Sequence, residues 1–209
     1  IANIEELMFK ELKLVAIIAM GSMLVACGKP NVVKLESTDK ILVVGDDISV
    51  GSGGKGISFP EELGPMIGNW IVNESVVGNT STKLKDNLSS VLDKQMPSHL
   101  MIVIGGIDMQ QKIPDSVITE NLDFMLVTAK ENNVIPIVVG MPRPSTPGTN
   151  LKLVDAAFYK EVASKNDVVY IENTISDILD QPNYKSSPTL LTGDGYKELA
   201  KSIAHKMKE

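Results

Sequence analysis

Residues 41–51 read ILVVGDDISVG and decide the fold class of this 209-residue chain. Residues 41–44 form a continuous apolar run that ends at Gly45. An unbroken apolar run of this length is typical of a parallel strand buried on both faces, whereas a half-exposed strand alternates apolar and polar residues. Four further segments predict strands, at residues 70–72, 100–104, 134–139 and 167–171.

Apolar residues at helical spacing lie between these strands. In residues 80–95 they recur at i, i+4, i+7 and i+8, which marks one face of a helix. A capping box of Ser58 and Glu61 predicts the start of a shorter helix, and Asp115 or Ser116 is expected to cap a later one. Two more helices are predicted from stripes that consist of Leu151, Val154, Phe158 and Val162 and of Tyr196, Leu199, Ala200, Ile203 and Met207.

Alternation of five strands with helices predicts a three-layer α/β/α fold. Right-handed crossovers then give a parallel sheet that is covered by helices on both faces. In such folds ligands bind beyond the carboxyl ends of the strands. A functional site is therefore expected in the loops after the first four strands and before the last helix.

Composition and charge restrict the function. The 20 Lys+Arg and 26 Asp+Glu residues give a net charge of −6, so nucleic-acid binding is not expected. One cysteine and two histidines allow no internal disulfide and no common zinc site, and no cofactor is predicted. Arg143 is the only arginine; it follows the fourth strand and is either a ligand-binding residue of the site or a solvated side chain.

The N-terminal segment predicts export and membrane anchoring. Residues 8–27 contain a basic start, an apolar core and the sequence LVAC, which resembles a bacterial lipobox with Cys27 as the acylated residue. We expect residues 1–26 to be a signal peptide, with residues 1–7 upstream of the true start, and residues 27–39 to be a tether. The protein is thus expected on a bacterial cell envelope, on the outer membrane in a Gram-negative cell; an uncleaved anchor helix is the alternative.

Four blocks of the remaining sequence resemble the SGNH/GDSL hydrolase family. Residues 41–51 resemble the first block, G-D-S-[IL]-[ST]-x-G, and residues 72–81, VNESVVGNTS, resemble the second. Residues 102–108, IVIGGID, resemble the third block, which normally ends G-x-N-D. Residues 190–200, LLTGDGYKELA, resemble the closing block, in which the family has D-x-x-H before a Gly-Tyr pair.

The resemblance implies the fold, the domain and an activity. It implies a five-stranded parallel sheet in the flavodoxin-like order 2-1-3-4-5 over a domain of residues 40–209. It also implies an ester hydrolase of the lysophospholipase or acyl-esterase type, with Gly78 as the glycine of the oxyanion hole.

The other catalytic positions of the family are replaced in this chain. Asp47 stands at the position of the nucleophilic serine, and Ile107 stands at that of the oxyanion-hole asparagine. Ser187 replaces the aspartate and Leu190 replaces the histidine. Loss of the nucleophile or the base alone costs on the order of 10⁶ in turnover. We therefore predict a catalytically inactive pseudo-esterase that binds a small molecule or an envelope protein.

Two alternatives remain at this point. The first is an active ester hydrolase that uses non-standard residues; His99 and His205 are expected at the surface or a helix end, out of reach of Asp47. The second is a binder that needs a divalent cation, because Asp46, Asp47 and Asp108 end neighbouring strands and carboxylates bind Mg²⁺ and Ca²⁺. The simpler expectation is no metal, with Asp46 and Asp108 holding loop hydrogen bonds.

Overall fold

The computed structural model describes residues 33–143 and 152–208. In this part of the chain five strands form a parallel sheet in the order β2-β1-β3-β4-β5. The strands are β1 (Lys40–Gly45), β2 (Trp70–Asn73), β3 (His99–Val103), β4 (Ile135–Val139) and β5 (Val169–Ile171). The predicted strand order 2-1-3-4-5 is confirmed.

Helices cover both faces of the sheet. The described helices are α1 (Asp47–Val50), α2 (Phe59–Ile67), α3 (Ser81–Gln95), α4 (Gly106–Gln110), α5 (Asp115–Glu131), α6 (Ala157–Lys165), α7 (Thr174–Leu179) and α8 (Gly193–Lys206). Helix α5 packs against α3 and α6 on one face, and α8 packs against α2 and α7 on the other, as right-handed crossovers require. A hairpin of β6 (Lys185–Ser187) and β7 (Leu190–Leu191) precedes α8. The predicted three-layer fold is confirmed.

The apolar run of β1 lies at the centre of the core. Ile41 to Val44 are fully buried between β2 and β3, which explains why both alternating faces of the strand are apolar. Gly45 ends the strand beside β3, and a Cβ atom there would lie 2.1 Å from the carbonyl oxygen of Val103. Only glycine fits this close approach. Because Gly45 is the last residue of β1, Asp46 and Asp47 lie directly beyond the carboxyl end of the strand.

Two predicted helix caps are wrong. Ser58 precedes α2, but its side chain accepts no capping hydrogen bond, and its hydroxyl is buried without a partner. The proposed capping box with Glu61 is therefore absent, and Pro60 in the first turn marks the helix start. Asp115 is the first residue of α5, whose cap residue Pro114 has no side-chain donor or acceptor to offer.

The helix predicted from Leu151, Val154, Phe158 and Val162 is shorter than expected. It begins at Ala157, and Val154 is 59% exposed. The N–H of Ala156 donates to the carbonyl oxygen of Met141 at 3.0 Å, which holds the preceding residues in an extended bridge rather than a helix. Phe158 and Val162 are buried as predicted, and Leu151 lies outside the described residues.

The predicted signal segment and Cys27 lie outside the described residues. Residues 33–39 of the predicted tether are described, and they lie against the domain. Val33 is buried, and the side-chain amide of Asn69 donates to the carbonyl oxygen of Glu36 at 2.6 Å. Across the two described ranges, no helix combines the length and the apolar character that a membrane span requires.

The C-terminal helix also fixes the loop that follows α1. Tyr196 of α8 is fully buried, and its hydroxyl donates to the backbone carbonyl of Ser52 at 2.7 Å. Helix α8 also packs along α2. The last element of the chain therefore supports the first loop at the carboxyl edge of the sheet.

Candidate functional site

A cleft lies at the carboxyl ends of β1, β3 and β4, the edge of the sheet where a site is predicted. About 430 Å³ of space, part of it open to solvent, lies between its lining residues. Its lining consists of Asp46, Asp47, Ile48, Gly106, Ile107, Gln110, Met141, Pro142, Arg143, Leu153, Leu179, Pro188, Thr189 and Leu190. The structure thus brings together three of the family-equivalent positions, Asp47, Ile107 and Leu190, with Arg143.

The carboxyl group of Asp46 joins the ends of β1 and β3. Its Oδ1 accepts the N–H of Ile48 at 3.3 Å, and its Oδ2 accepts the N–H groups of Gly106 at 3.0 Å and Ile107 at 3.4 Å. Burial raises the pKa of Asp46 to about 7; these backbone donors oppose the rise and the charge of Asp47 adds to it. Asp46 therefore holds the loops that carry the cleft.

The carboxylate of Asp47 lies beside Gly78. Its Oδ2 accepts the backbone N–H of Gly78 at 2.7 Å, and its Oδ1 accepts the hydroxyl of Ser52 at 3.3 Å. Gly78 has a φ of 69°, a left-handed conformation that glycine adopts without a steric cost. The resemblance assigns the N–H of Gly78 to an oxyanion hole, and in this structure a carboxylate of the protein itself accepts that hydrogen bond.

Ile107 adds an apolar wall to the cleft. It lies in the first turn of α4, which begins directly after Gly105 with a φ of 116°. Its side chain lines the cleft, and its backbone N–H is directed at Asp46. An isoleucine side chain has no N–H donor, so the amide that the family has at this position is missing.

The hairpin before α8 brings Leu190 to the cleft. Leu190 is half-buried in β7 and lines the cleft next to Thr189. Ser187 lies in β6 outside the cleft lining, and its hydroxyl accepts the backbone N–H of Thr189 at 3.3 Å. Neither residue supplies a base, because leucine has no titratable group and the serine hydroxyl serves the turn of the hairpin.

Arg143 lies at the rim of the cleft and is half-exposed. Its guanidinium forms an ion pair with Asp115 at the start of α5. It also lies over the ring of Phe158, 6.0 Å from the ring centroid. The positive charge of Arg143 is therefore balanced by a neighbouring carboxylate of the protein.

Asp108, the third carboxylate of the proposed cation site, does not line the cleft that Asp46 and Asp47 line. It is fully buried, and its Oδ1 and Oδ2 accept the backbone N–H of Ser81 at 3.1 and 2.9 Å. The Ser81 hydroxyl donates to Oδ1 at 2.6 Å and accepts the amide of Asn121 at 3.0 Å. Among the described residues, no group of three or more His, Cys, Asp or Glu side chains has a metal-binding arrangement.

The two histidines lie away from the cleft. His99 is buried at the amino end of β3, which corrects the expectation of a surface position. Burial lowers its pKa, while the charge of Asp39 acts in the opposite direction. His205 is exposed near the C-terminal end of α8. Of the described residues that line the cleft, none is serine, cysteine or histidine.

Asp155, which the sequence patterns do not mark, holds one wall of the cleft in place. Its Oδ2 accepts the hydroxyl of Tyr170 at 2.8 Å and the N–H of Asn173 at 2.7 Å, and its Oδ1 accepts the hydroxyl of Ser176. Asp155 also pairs with Pro142 of the cleft wall. No motif or periodicity marks it, because its partners come from β5 and α7.

Two characterised enzymes resemble the chain in sequence, although no family model does. No family model matches the chain. An arylesterase of Vibrio mimicus is 23% identical over 155 residues, which cover 71% of this chain and 78% of that protein. The thioesterase 1/protease 1/lysophospholipase L1 of Escherichia coli K12 is 22% identical over 154 residues, covering 71% of this chain and 73% of its own length.

Solved structures share the fold. The crystal structure of TesA superimposes with a TM-score of 0.72 at 19% identity and covers 81% of this chain and 98% of its own. AlinE4, an SGNH-hydrolase family esterase, superimposes with a TM-score of 0.63 at 22% identity over 82% of this chain and 96% of its own. The chain therefore has the same three-layer α/β/α fold as these proteins.

The sequence blocks and these relatives point to the same family. The blocks at residues 41–51, 72–81, 102–108 and 190–200 occur in the family order on loops at one edge of the sheet. Together with the esterase relatives, they support membership of the SGNH/GDSL hydrolase family.

Proposed function

We propose that this protein is a catalytically inactive SGNH/GDSL pseudo-esterase that binds a ligand through its cleft. The observation that supports this most directly is the 2.7 Å hydrogen bond from the N–H of Gly78 to the carboxylate of Asp47. Acyl transfer needs donors directed at a developing negative oxygen. Here the N–H of Gly78 already donates to the negative carboxylate of Asp47. A substrate oxygen that became negative at this position would be repelled by that carboxylate.

The missing base supports the same proposal. A hydroxyl or water nucleophile at neutral pH needs a general base within hydrogen-bond reach. Leu190 occupies the histidine position of the family, and His99 is buried at the opposite edge of the sheet. A carboxylate nucleophile at Asp47 would form an ester that no neighbouring base helps to release.

Reversion of the site tests the proposal. The full chain carrying Asp47→Ser, Ile107→Asn, Ser187→Asp and Leu190→His together is assayed with p-nitrophenyl butyrate. We expect no turnover above background for the unmodified chain and measurable turnover for the fourfold variant. The matched control is the threefold variant that keeps Asp47, which should stay inactive because it lacks the hydroxyl.

Two outcomes would contradict the proposal. Turnover by the unmodified chain that is lost in Asp47→Asn would establish an active hydrolase with a carboxylate nucleophile. A folded fourfold variant without activity would contradict the assignment of these four positions.

We also propose that the lipobox-like segment anchors the protein to the bacterial cell envelope. Cys27 is the acylation site, and the cleft then serves a small molecule or a partner protein of the envelope. Mass spectrometry of the protein from a bacterial membrane fraction tests this. We expect an N-terminal peptide that begins at an acylated Cys27, and Cys27→Ser should appear in the soluble fraction. An intact peptide spanning residues 20–30 would contradict the proposal.

A further inference from the structure

We propose that the cleft binds a small amphiphilic cation, an ammonium head on an apolar body, with Asp47 as its counter-ion. This inference rests on the proposed function and names the chemical class of the ligand. It differs from the acyl esters that the family resemblance implies, because the change at one position reverses the sign of the charge that the cleft prefers.

The carboxylate of Asp47 has acceptor capacity left for a ligand. It receives two hydrogen bonds, from the N–H of Gly78 at 2.7 Å and from the hydroxyl of Ser52 at 3.3 Å. Two carboxylate oxygens offer about four acceptor sites. Both donors are neutral groups, so the negative charge of Asp47 is not balanced by them. An ammonium group offers three donors and the opposite charge.

The other charges around the cleft do not favour an anion. Arg143 at the rim forms its ion pair with Asp115, which balances its charge. Asp46 lies next to Asp47 in the lining, and its ionised form adds negative charge. A carboxylate or phosphate ligand would therefore meet net repulsion, whereas a cation would be attracted.

Apolar side chains define the body of the ligand. Two of the four replaced family positions, Ile107 and Leu190, substitute apolar surface for polar catalytic groups. They lie with Ile48, Met141, Leu153 and Leu179 around the carboxylate. A charged head with a short alkyl chain matches this combination of a carboxylate and apolar walls, because burial of each CH₂ is favourable.

Three matched probes test the proposal. Hexylammonium, 1-hexanol and hexanoate have the same chain and differ in the charge of the head. They are titrated calorimetrically at pH 7 into the full chain in phosphatidylcholine nanodiscs, with empty nanodiscs as the reference. We expect the Kd of hexylammonium to be at least about tenfold below that of hexanoate, with hexanol between them, which corresponds to about 1.4 kcal/mol.

Asp47→Asn is the decisive variant because it removes the charge and keeps the shape of the side chain. In this variant we expect the Kd values of hexylammonium and hexanoate to differ by less than about twofold. Asp194→Asn removes an exposed carboxylate at the start of α8, outside the cleft lining, and should leave the preference unchanged.

Three results would overturn the inference: equal or tighter binding of hexanoate, a preference for the cation that persists in Asp47→Asn, or no binding of any probe. These results are distinct from failure of the proposed function. That function fails when the unmodified chain hydrolyses esters, and ester turnover is measured separately from the charge preference.

Discussion

The carboxylate of Asp47 and the backbone N–H of Gly78, 31 positions apart in the sequence, are joined by a hydrogen bond of 2.7 Å. The bond links the start of α1 to the loop after β2. The Gly78 N–H is therefore engaged by a side chain of the protein itself. A charge-assisted hydrogen bond of this kind contributes to the stability of the two loops as well as to the charge of the cleft.

Asp47→Ala should lower the free energy of unfolding by about 1–2 kcal/mol, because the Gly78 N–H and the Ser52 hydroxyl lose their acceptor. Urea unfolding measures this loss. Asp86→Ala on the exposed face of α3 is the control, with an expected change within about 0.5 kcal/mol. Equal effects of the two substitutions would show that the Asp47–Gly78 hydrogen bond adds nothing to stability.

Asp46 should make the stability fall as the pH rises. Its pKa is raised from 3.8 to about 7 in the folded protein, so the folded state holds a proton that the unfolded state releases. The contribution is complete below about pH 4 and is lost as the pH rises to about 7. At about 1.4 kcal/mol per pKa unit it amounts to at most about 4 kcal/mol.

Asp46→Asn isolates this contribution because an amide does not titrate. Urea unfolding of both proteins between pH 4 and 8 gives the measurement. The difference in free energy, wild type minus variant, should decrease with pH, and the contribution of His99 cancels because both chains contain it. Parallel curves across this range would contradict the raised pKa.

Gly105→Ala should be strongly destabilising. Gly105 has a φ of 116°, and an added Cβ would lie 2.3 Å from the hydroxyl oxygen of Tyr159, which donates to the carbonyl oxygen of Ile104 at 2.7 Å. Gly56→Ala is the matched control, since Gly56 has a φ of 91° and no atom near the added Cβ. Thermal or urea unfolding should give a loss at least about 1 kcal/mol larger for Gly105→Ala. A loss no larger than that of Gly56→Ala would show that the Tyr159 contact does not constrain this turn.

Ser81→Ala should cost about 1–3 kcal/mol. The substitution removes the hydroxyl that donates to the buried carboxylate of Asp108 and accepts from Asn121. Ser90→Ala on the exposed side of the same helix should change the free energy of unfolding by less than about 0.5 kcal/mol. Urea unfolding measures both, and an unchanged midpoint for Ser81→Ala would show that Asp108 is satisfied by backbone donors.

The sheet was predictable from the sequence because burial on both faces leaves continuous apolar runs. Residues 41–44 are fully buried in β1, and the strand order followed from the family resemblance. The apolar periodicity predicted a helix incorrectly where contacts with distant residues determine the local structure. Val154 continued an apolar stripe but lies exposed, because the segment before α6 pairs with Met141 and Pro142.

The position of the candidate site was predictable, whereas its contacts were not. Parallel strands end at one edge, so residues that follow them, such as Asp47 and Ile107, share a cleft. The bond between Asp47 and Gly78 depends on side-chain direction and loop geometry, which spacing does not specify. Asp155 was missed for the same reason, since its partners come from distant elements.

The hydrogen bond from Tyr196 to Ser52 joins residues 144 positions apart. A nascent polypeptide cannot form this contact until almost the whole chain has been synthesised. Contacts of such long range slow folding, because a large loop must close before the contact stabilises it. The loop that contains Ser52 therefore cannot gain this contact before the C-terminal helix forms. In a polypeptide that stops before residue 196, the carbonyl oxygen of Ser52 would lack this hydrogen bond.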